Sequence, residues 1–143
     1  MEKIQFKNNE APYLSAENLN QLQTNIETAI SEVVESGSNE NGEWTKWADG
    51  TMICTLTKTF TGVDITTVWG SLYESSSALN LGNLPQTFIE PAKIFIFPNR
   101  TFFIERSNAG NQATQWGSFY PVRPVSESDF NLGVDCIAIG KWK

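Results

Sequence analysis

Residues 44–60 decide the fold, and they read Trp44-Thr45-Lys46-Trp47-Ala48-Asp49-Gly50-Thr51-Met52-Ile53-Cys54-Thr55-Leu56-Thr57-Lys58-Thr59-Phe60. Residues 51–60 are rich in residues that favour strands, and apolar and polar side chains alternate through part of them. Asp49-Gly50 is a hairpin turn signal. Residues 44–47 are therefore predicted to pair with a strand that begins at Thr51.

The same pattern continues toward the C-terminus. Further strands are predicted at 63–70, 87–90, 92–97, 101–106 and 134–142, with turn residues between them and no strong helical periodicity. Several short strands at this spacing predict an antiparallel β-sandwich over residues 44–143.

Toward the N-terminus, residues 15–35 predict a helix with Ser15 as the N-cap and Gly37 after its end. Its apolar residues are spaced alternately by three and four, which predicts a narrow self-associating seam. The seam residues are Leu19, Leu22, Ile26, Ala29 and Val33. The alternative is a helix that packs on its own domain.

Residues 36–43 contain two glycines and no apolar side chain, which is typical of a linker. The predicted organisation is an N-terminal segment with a coiled-coil-like helix at 1–35, a linker at 36–43 and a β-sandwich head at 44–143.

The net charge of −6 disfavours nucleic acid as a partner, since a polyanion would be repelled. The opening residues do not resemble a signal peptide, and no apolar run approaches the ~20 residues needed to cross a bilayer. These features predict synthesis in a cytoplasm and no membrane insertion.

Cys54 and Cys136 each lie in an apolar stretch, which predicts two buried free thiols, with a bridge between neighbouring strands as the alternative. The chain has no histidine and no Cys-x-x-Cys pair, so a zinc site is not expected. It also lacks phosphate-binding glycine motifs and Ca²⁺ loops, and no cofactor is expected.

Catalytic motifs are missing from the sequence. A nucleophile–histidine set cannot form without histidine, and the carboxylates of residues 44–143 form no recognisable glycosidase pair. The sequence predicts a protein that is not an enzyme, although a carboxylate pair assembled by the fold is left open.

Aromatic residues and arginines are the candidate ligand-binding residues, because rings stack on the C–H faces of sugars and guanidinium groups donate to hydroxyls. The candidates are Trp69, Tyr73, Arg100, Arg106, Trp116 and Tyr120, with Phe119 as a further exposed aromatic. The alternatives are that these rings are buried and that the arginines pair with surface or intersubunit carboxylates. Trp44, Trp47 and Trp142 are predicted in the core or in a subunit interface.

Several stretches resemble the tail-fibre and baseplate receptor-binding proteins of bacteriophages that infect Gram-positive bacteria. Residues 6–20 are similar to a segment that introduces a helix in such proteins, and residues 41–54 are similar to the entry of their head domains. Residues 138–142 (Ala-Ile-Gly-Lys-Trp) resemble the end of those heads. Residues 88–94 are similar to a strand of H-type lectin-like sandwiches.

The resemblance implies a homotrimer with bundled helices and three β-sandwich heads, carried at the tail tip of a virion beside other tail or baseplate proteins. It also implies a non-catalytic adhesin that binds a saccharide of the host cell wall. The alternatives are a structural tail or baseplate subunit without a receptor site, and a cell-wall-degrading enzyme.

Overall fold

A computed structural model describes residues 16–30, 33–107 and 112–143 of the chain. Within these ranges it has one helix and nine strands in a single antiparallel sheet, so the predicted mainly β fold after a short helix is confirmed. The elements are α1 (Ala16–Ile30), β1 (Val33–Asn39), β2 (Gly42–Trp47), β3 (Thr51–Trp69), β4 (Leu72–Ser75), β5 (Leu79–Asn83), β6 (Lys93–Pro98), β7 (Phe103–Arg106), β8 (Gln115–Arg123) and β9 (Glu127–Lys141).

Two groups of strands enclose one core. In the first group β2, β3, β9 and β6 are consecutive neighbours, and in the second β8 pairs with β4, β5 and β7. The long strand β3 joins the groups, because it pairs with β2 and β9 and then, near its end, with β4. Alternate residues of both groups are buried, among them Met52, Cys136, Leu81, Trp116 and Phe119.

The predicted hairpin at Asp49-Gly50 is confirmed, since Lys46 lies opposite Met52 on the paired strands β2 and β3. Gly50 adopts a φ of 87°, a left-handed conformation that glycine tolerates. The Asp49 carboxylate accepts hydrogen bonds from the backbone N–H of Thr51 at 2.7 Å and from its hydroxyl at 2.9 Å. These bonds favour the ionised form and hold the pKa of Asp49 below its usual value.

α1 ends at Ile30, before the predicted end at residue 35. Val33 is the first residue of β1, so its predicted place in the helical seam is wrong. The seam residues Leu19, Leu22 and Ile26 are 49%, 44% and 48% exposed. The predicted N-cap Ser15 and the side chain of Ala29 lie outside the described residues.

The predicted linker at 36–43 is wrong as a description of local structure, because these residues form the paired strands β1 and β2 and the turn between them. The Glu35 carboxylate accepts hydrogen bonds from Trp44 Nε1 at 2.9 Å and from Lys46 Nζ at 3.0 Å. The bond from Lys46, followed by that from Trp44, lowers the pKa of Glu35. The hairpin is also tied to the rest of the domain, since the Asn39 amide donates to the carbonyl of Pro85 at 3.0 Å. That a domain boundary lies in this region stays a prediction.

Both cysteines are buried and free, as predicted. Burial raises the pKa of the Cys54 and Cys136 thiols from 9.0 to about 12, because the thiolate is poorly solvated in the core. The protonated thiol is thus the form that the folded state favours. Each cysteine contributes stability that is fully present below pH 9 and is lost as the pH rises toward 12.

We expect neither cysteine to react with iodoacetamide at pH 8.5 in the folded protein, because the thiolate is the nucleophile and both thiols are inaccessible. Mass spectrometry should detect no adduct under native conditions and two after denaturation in urea. Rapid labelling of either thiol in the folded chain would contradict the burial.

Candidate ligand-binding site

A cleft with two arginines lies where β8 ends and β9 begins, and we call it the arginine cleft. It has a volume of about 260 Å³ and is lined by Arg100, Thr101, Arg123, Glu127 and Phe130. The cleft lies beside the C-terminal part of β3, since Phe130 pairs with Val63 and Glu127 pairs with Ile65.

Arg123 is fixed on one side of the arginine cleft. Its guanidinium donates to the Glu127 carboxylate four residues later and lies 4.4 Å from the centre of the Phe130 ring. Its side chain is only 16% exposed, and its buried Nε has no hydrogen-bond partner among the described residues. Because the charge is held by both a carboxylate and a ring face, Arg123 forms a rigid wall of the cleft.

The backbone around Phe130 positions this wall. Phe130 packs edge-on against Phe102, with ring centres 6.4 Å apart. Asp129, the preceding residue, has a φ of 55°, and its N–H donates to the Asp64 carboxylate on β3 at 3.0 Å. Aspartate adopts this left-handed conformation more readily than most residues. The local kink and the packing on Phe102 hold Phe130 beneath Arg123.

Arg100 provides the accessible cation of the arginine cleft. It lies in the exposed turn between β6 and β7, and its guanidinium has no hydrogen bond or ion pair with any residue in the described ranges. Arg100 also lines a second cavity of about 410 Å³, whose walls include Asn99, Asn131 and Thr59. Its five N–H donors are therefore available to a ligand that spans the two cavities.

This set of groups suits a ligand rich in hydroxyls. Arg100 donates, the Glu127 carboxylate is 41% exposed at its side chain and accepts, and the Thr101 hydroxyl does either. No cluster of three or more metal-ligating side chains occurs in the part of the chain that the structure describes. Nor does that part contain a helix long and apolar enough to cross a bilayer.

Of the candidate residues predicted from sequence, only Arg100 lies in the arginine cleft. Tyr73 is opposite Arg123 on the neighbouring strand, but it is partly buried against the core. Trp69 is 47% exposed at the tip of the β3–β4 hairpin, at the same end of β3 as the cleft. Tyr120 lies half-buried on β8, opposite Glu105 of β7.

Three of the residues predicted to bind ligand have structural roles instead. Trp116 and Phe119 are fully buried, so their expected exposure is wrong, and a ring without accessible surface cannot stack on a sugar. Trp116 Nε1 donates to the Asn41 carbonyl at 3.0 Å, which satisfies the indole in the core. Arg106 donates to the Ile94 carbonyl at 3.2 Å and thereby ties β7 to β6.

The sequence did not identify Arg123, Glu127, Phe130 and Thr101 as parts of a site. The one local signal is an arginine that lies between Pro121-Val122 and Pro124-Val125 and precedes a glutamate by four residues. Nothing in that spacing relates Arg123 to Arg100, which lies in the turn between β6 and β7.

No protein-family model and no curated protein matches the chain. Among solved structures, a P. aeruginosa R1 pyocin fibre fragment comprising C-terminal residues 323–701 is similar with a TM-score of 0.39 and 14% sequence identity. The match covers 95% of this chain, and the chain spans 40% of that fragment.

Proposed function

We propose that the protein is a non-catalytic adhesin of a phage tail tip and that it binds a host-surface glycan through the arginine cleft. The observation that carries the proposal is the unpaired Arg100 guanidinium, held beside a rigid Arg123–Glu127–Phe130 wall. A cation, a carboxylate and a hydroxyl in one cleft match the donors and acceptors of a saccharide.

The position of the arginine cleft supports this function. α1 leads into β1, whose first residue Val33 lies opposite Trp47, next to the Thr51 end of β3. The cleft lies beside Val63 and Ile65, near the other end of that strand. At about 3.3 Å per residue, roughly 40 Å of strand separates the two ends. A domain attached through α1 would thus present the cleft away from its attachment.

The phage origin rests on the sequence resemblance of residues 6–20, 41–54 and 138–142. The half-exposed seam of Leu19, Leu22 and Ile26 on α1 supports the homotrimer that the resemblance implies. A short helix of this kind gains stability from packing its apolar stripe against identical helices. Three clefts on one trimer would give avidity to sites of modest individual affinity.

A second candidate is a structural tail or baseplate subunit without its own receptor. The specific observation in its favour is the number of large apolar side chains that stay exposed, among them Phe95, Phe97 and Phe103. Such side chains suit contacts with other tail proteins.

We expect Arg100→Gln to weaken binding to isolated Gram-positive cell walls about tenfold or more, because hydrogen bonds to a charged group contribute about 1.5–3 kcal/mol. Sedimentation with walls at several protein concentrations measures the affinity. Lys143→Gln is the matched control, because it removes the same charge at the opposite end of the domain and should change binding less than twofold.

Three outcomes are distinguishable. Binding that both variants retain would place the glycan site outside the arginine cleft. A wild-type protein that binds no wall in a broad panel would favour the structural subunit. Sugar released from the walls would contradict a non-catalytic role.

A further inference from the structure

The outer face of the first strand group carries aromatic, aliphatic and charged residues side by side. Strand alternation points Met52, Cys54, Cys136 and Ala138 into the core, so the residues between them face outward. The register places the outward residues side by side across β2, β3, β9 and β6. They are Glu43 and Thr45 on β2, Ile53 and Thr55 on β3, Asp135, Ile137 and Ile139 on β9, and Lys93, Phe95 and Phe97 on β6.

One side of this outer face is an aromatic ridge. Phe95 and Phe97 are 46% and 50% exposed, and their rings are nearly parallel with centres 6.5 Å apart. The exposed Lys93 precedes them on the same side of β6. The ridge therefore combines two stacked rings with one positive charge.

The other side of the outer face contains an acidic groove of about 560 Å³, between the β1–β2 turn and strands β3 and β9. Its walls include the carboxylates of Glu40, Glu43 and Asp135, and no cationic side chain of the described residues lines it. Ile137 gives the groove an apolar floor, and the Thr55 side chain lies beside it on the neighbouring strand. Thr57 donates to Asp135 at 2.7 Å, whereas Glu40 and Glu43 form no side-chain hydrogen bond or ion pair within the described ranges.

We infer that the aromatic ridge of one head packs into the acidic groove of a second copy of this chain. The two surfaces are complementary in charge, since Lys93 lies beside the rings and Glu43 lies beside the apolar floor. They lie on different strands of the same face, so two facing copies can each place a ridge in the other's groove, and repetition of the contact around an axis would instead close a ring. Burying the rings and the isoleucines removes from water an apolar surface that a lone head leaves exposed.

Other occupants fit the two surfaces less well. A neutral saccharide would leave the carboxylates of the groove without a countercharge. A separate protein partner would account for one of the two surfaces, whereas a second copy accounts for both. The inference does not depend on what the arginine cleft binds, because the outer face and the cleft share no lining residue.

Cross-linking of the full chain with Phe95→Cys and Thr55→Cys tests the contact and keeps the charges of Lys93 and Glu43. The two positions lie on β6 and β3 with β9 between them, about 10 Å apart at ~4.8 Å per strand, so they cannot bridge within one chain. The natural thiols are buried and do not compete. Under mild oxidation we expect covalent dimers and trimers on a non-reducing gel, and no ladder from either single variant.

A further substitution in that double-cysteine chain examines the ridge. Phe97→Asp should reduce the cross-linked fraction at least tenfold, because a carboxylate would enter an acidic groove. Phe103→Asp is the control, since Phe103 is 65% exposed on β7, away from the outer face, and its replacement should leave cross-linking unchanged. A double-cysteine chain that stays monomeric on the gel, or equal cross-linking in both aspartate variants, would overturn the inference.

Discussion

Replacing Trp116 with alanine is expected to lower the free energy of unfolding by about 3–5 kcal/mol, the usual cost of truncating a buried aromatic residue. Trp116 has no exposed surface and packs in the core formed by both strand groups. Its indole also satisfies the Asn41 carbonyl, which the substitution would leave without that donor. Urea denaturation followed by circular dichroism measures the change.

Trp69→Ala is the matched control, because Trp69 is a tryptophan that is 47% exposed at a hairpin tip. We expect it to change the free energy of unfolding by less than about 1 kcal/mol. A Trp116→Ala protein that kept its stability and lost only wall binding would restore the original prediction that this residue contacts ligand.

Gly42→Ala is expected to destabilise the domain by about 3 kcal/mol or more. Gly42 has a φ of 128°, and an added Cβ would lie 2.2 Å from the carbonyl oxygen of Thr55 on β3. Backbone strain of this kind costs about 1–3 kcal/mol, and the collision with a backbone atom adds to it. A flexible linker would tolerate the substitution, so the urea midpoint also decides whether residues 36–43 are structured in solution.

Gly70→Ala separates the cost of backbone strain from the cost of a steric collision. Gly70 also has a left-handed φ, 61°, but no atom lies within 4 Å of its added Cβ. The substitution should therefore cost only the conformational penalty of about 1–2 kcal/mol. If both substitutions lowered the free energy of unfolding equally, the close contact between Gly42 and the Thr55 carbonyl would not contribute to the loss.

The fold was predictable where the pattern of apolar and polar side chains indicates which residues are buried. The Asp49-Gly50 turn and the alternation that follows it identified β2 and β3, and the same reasoning placed both cysteines in the core. β1 was missed because it is an edge strand held by backbone pairing with β2, and most of its side chains are exposed. Polar residues such as Ser36 and Ser38 are equally suited to that position and to a linker.

The site was harder to predict than the fold. The amides and hydroxyls around Trp116 in the sequence predict a loop, yet β8 directs its ring into the core. Arg100 was identified by its chemistry alone. Its partners in the arginine cleft come from the β8–β9 connection, and only the pairing of β9 with β3 and of β8 with β7 brings them together.

The antiparallel pairing of β3 with β9 has a mechanical consequence. The two strands are paired from Thr51 opposite Lys141 to Ile65 opposite Glu127, with irregularities between Phe60 and Ile65, along the line between the attachment end and the arginine cleft. A pull between a tethered α1 and a ligand held in the cleft would act along these strands, and their hydrogen bonds lie perpendicular to that direction. Such a force shears many bonds at once, whereas a pull across the strands would open them one after another. A domain loaded in this geometry would resist unfolding more strongly than one pulled across its strands.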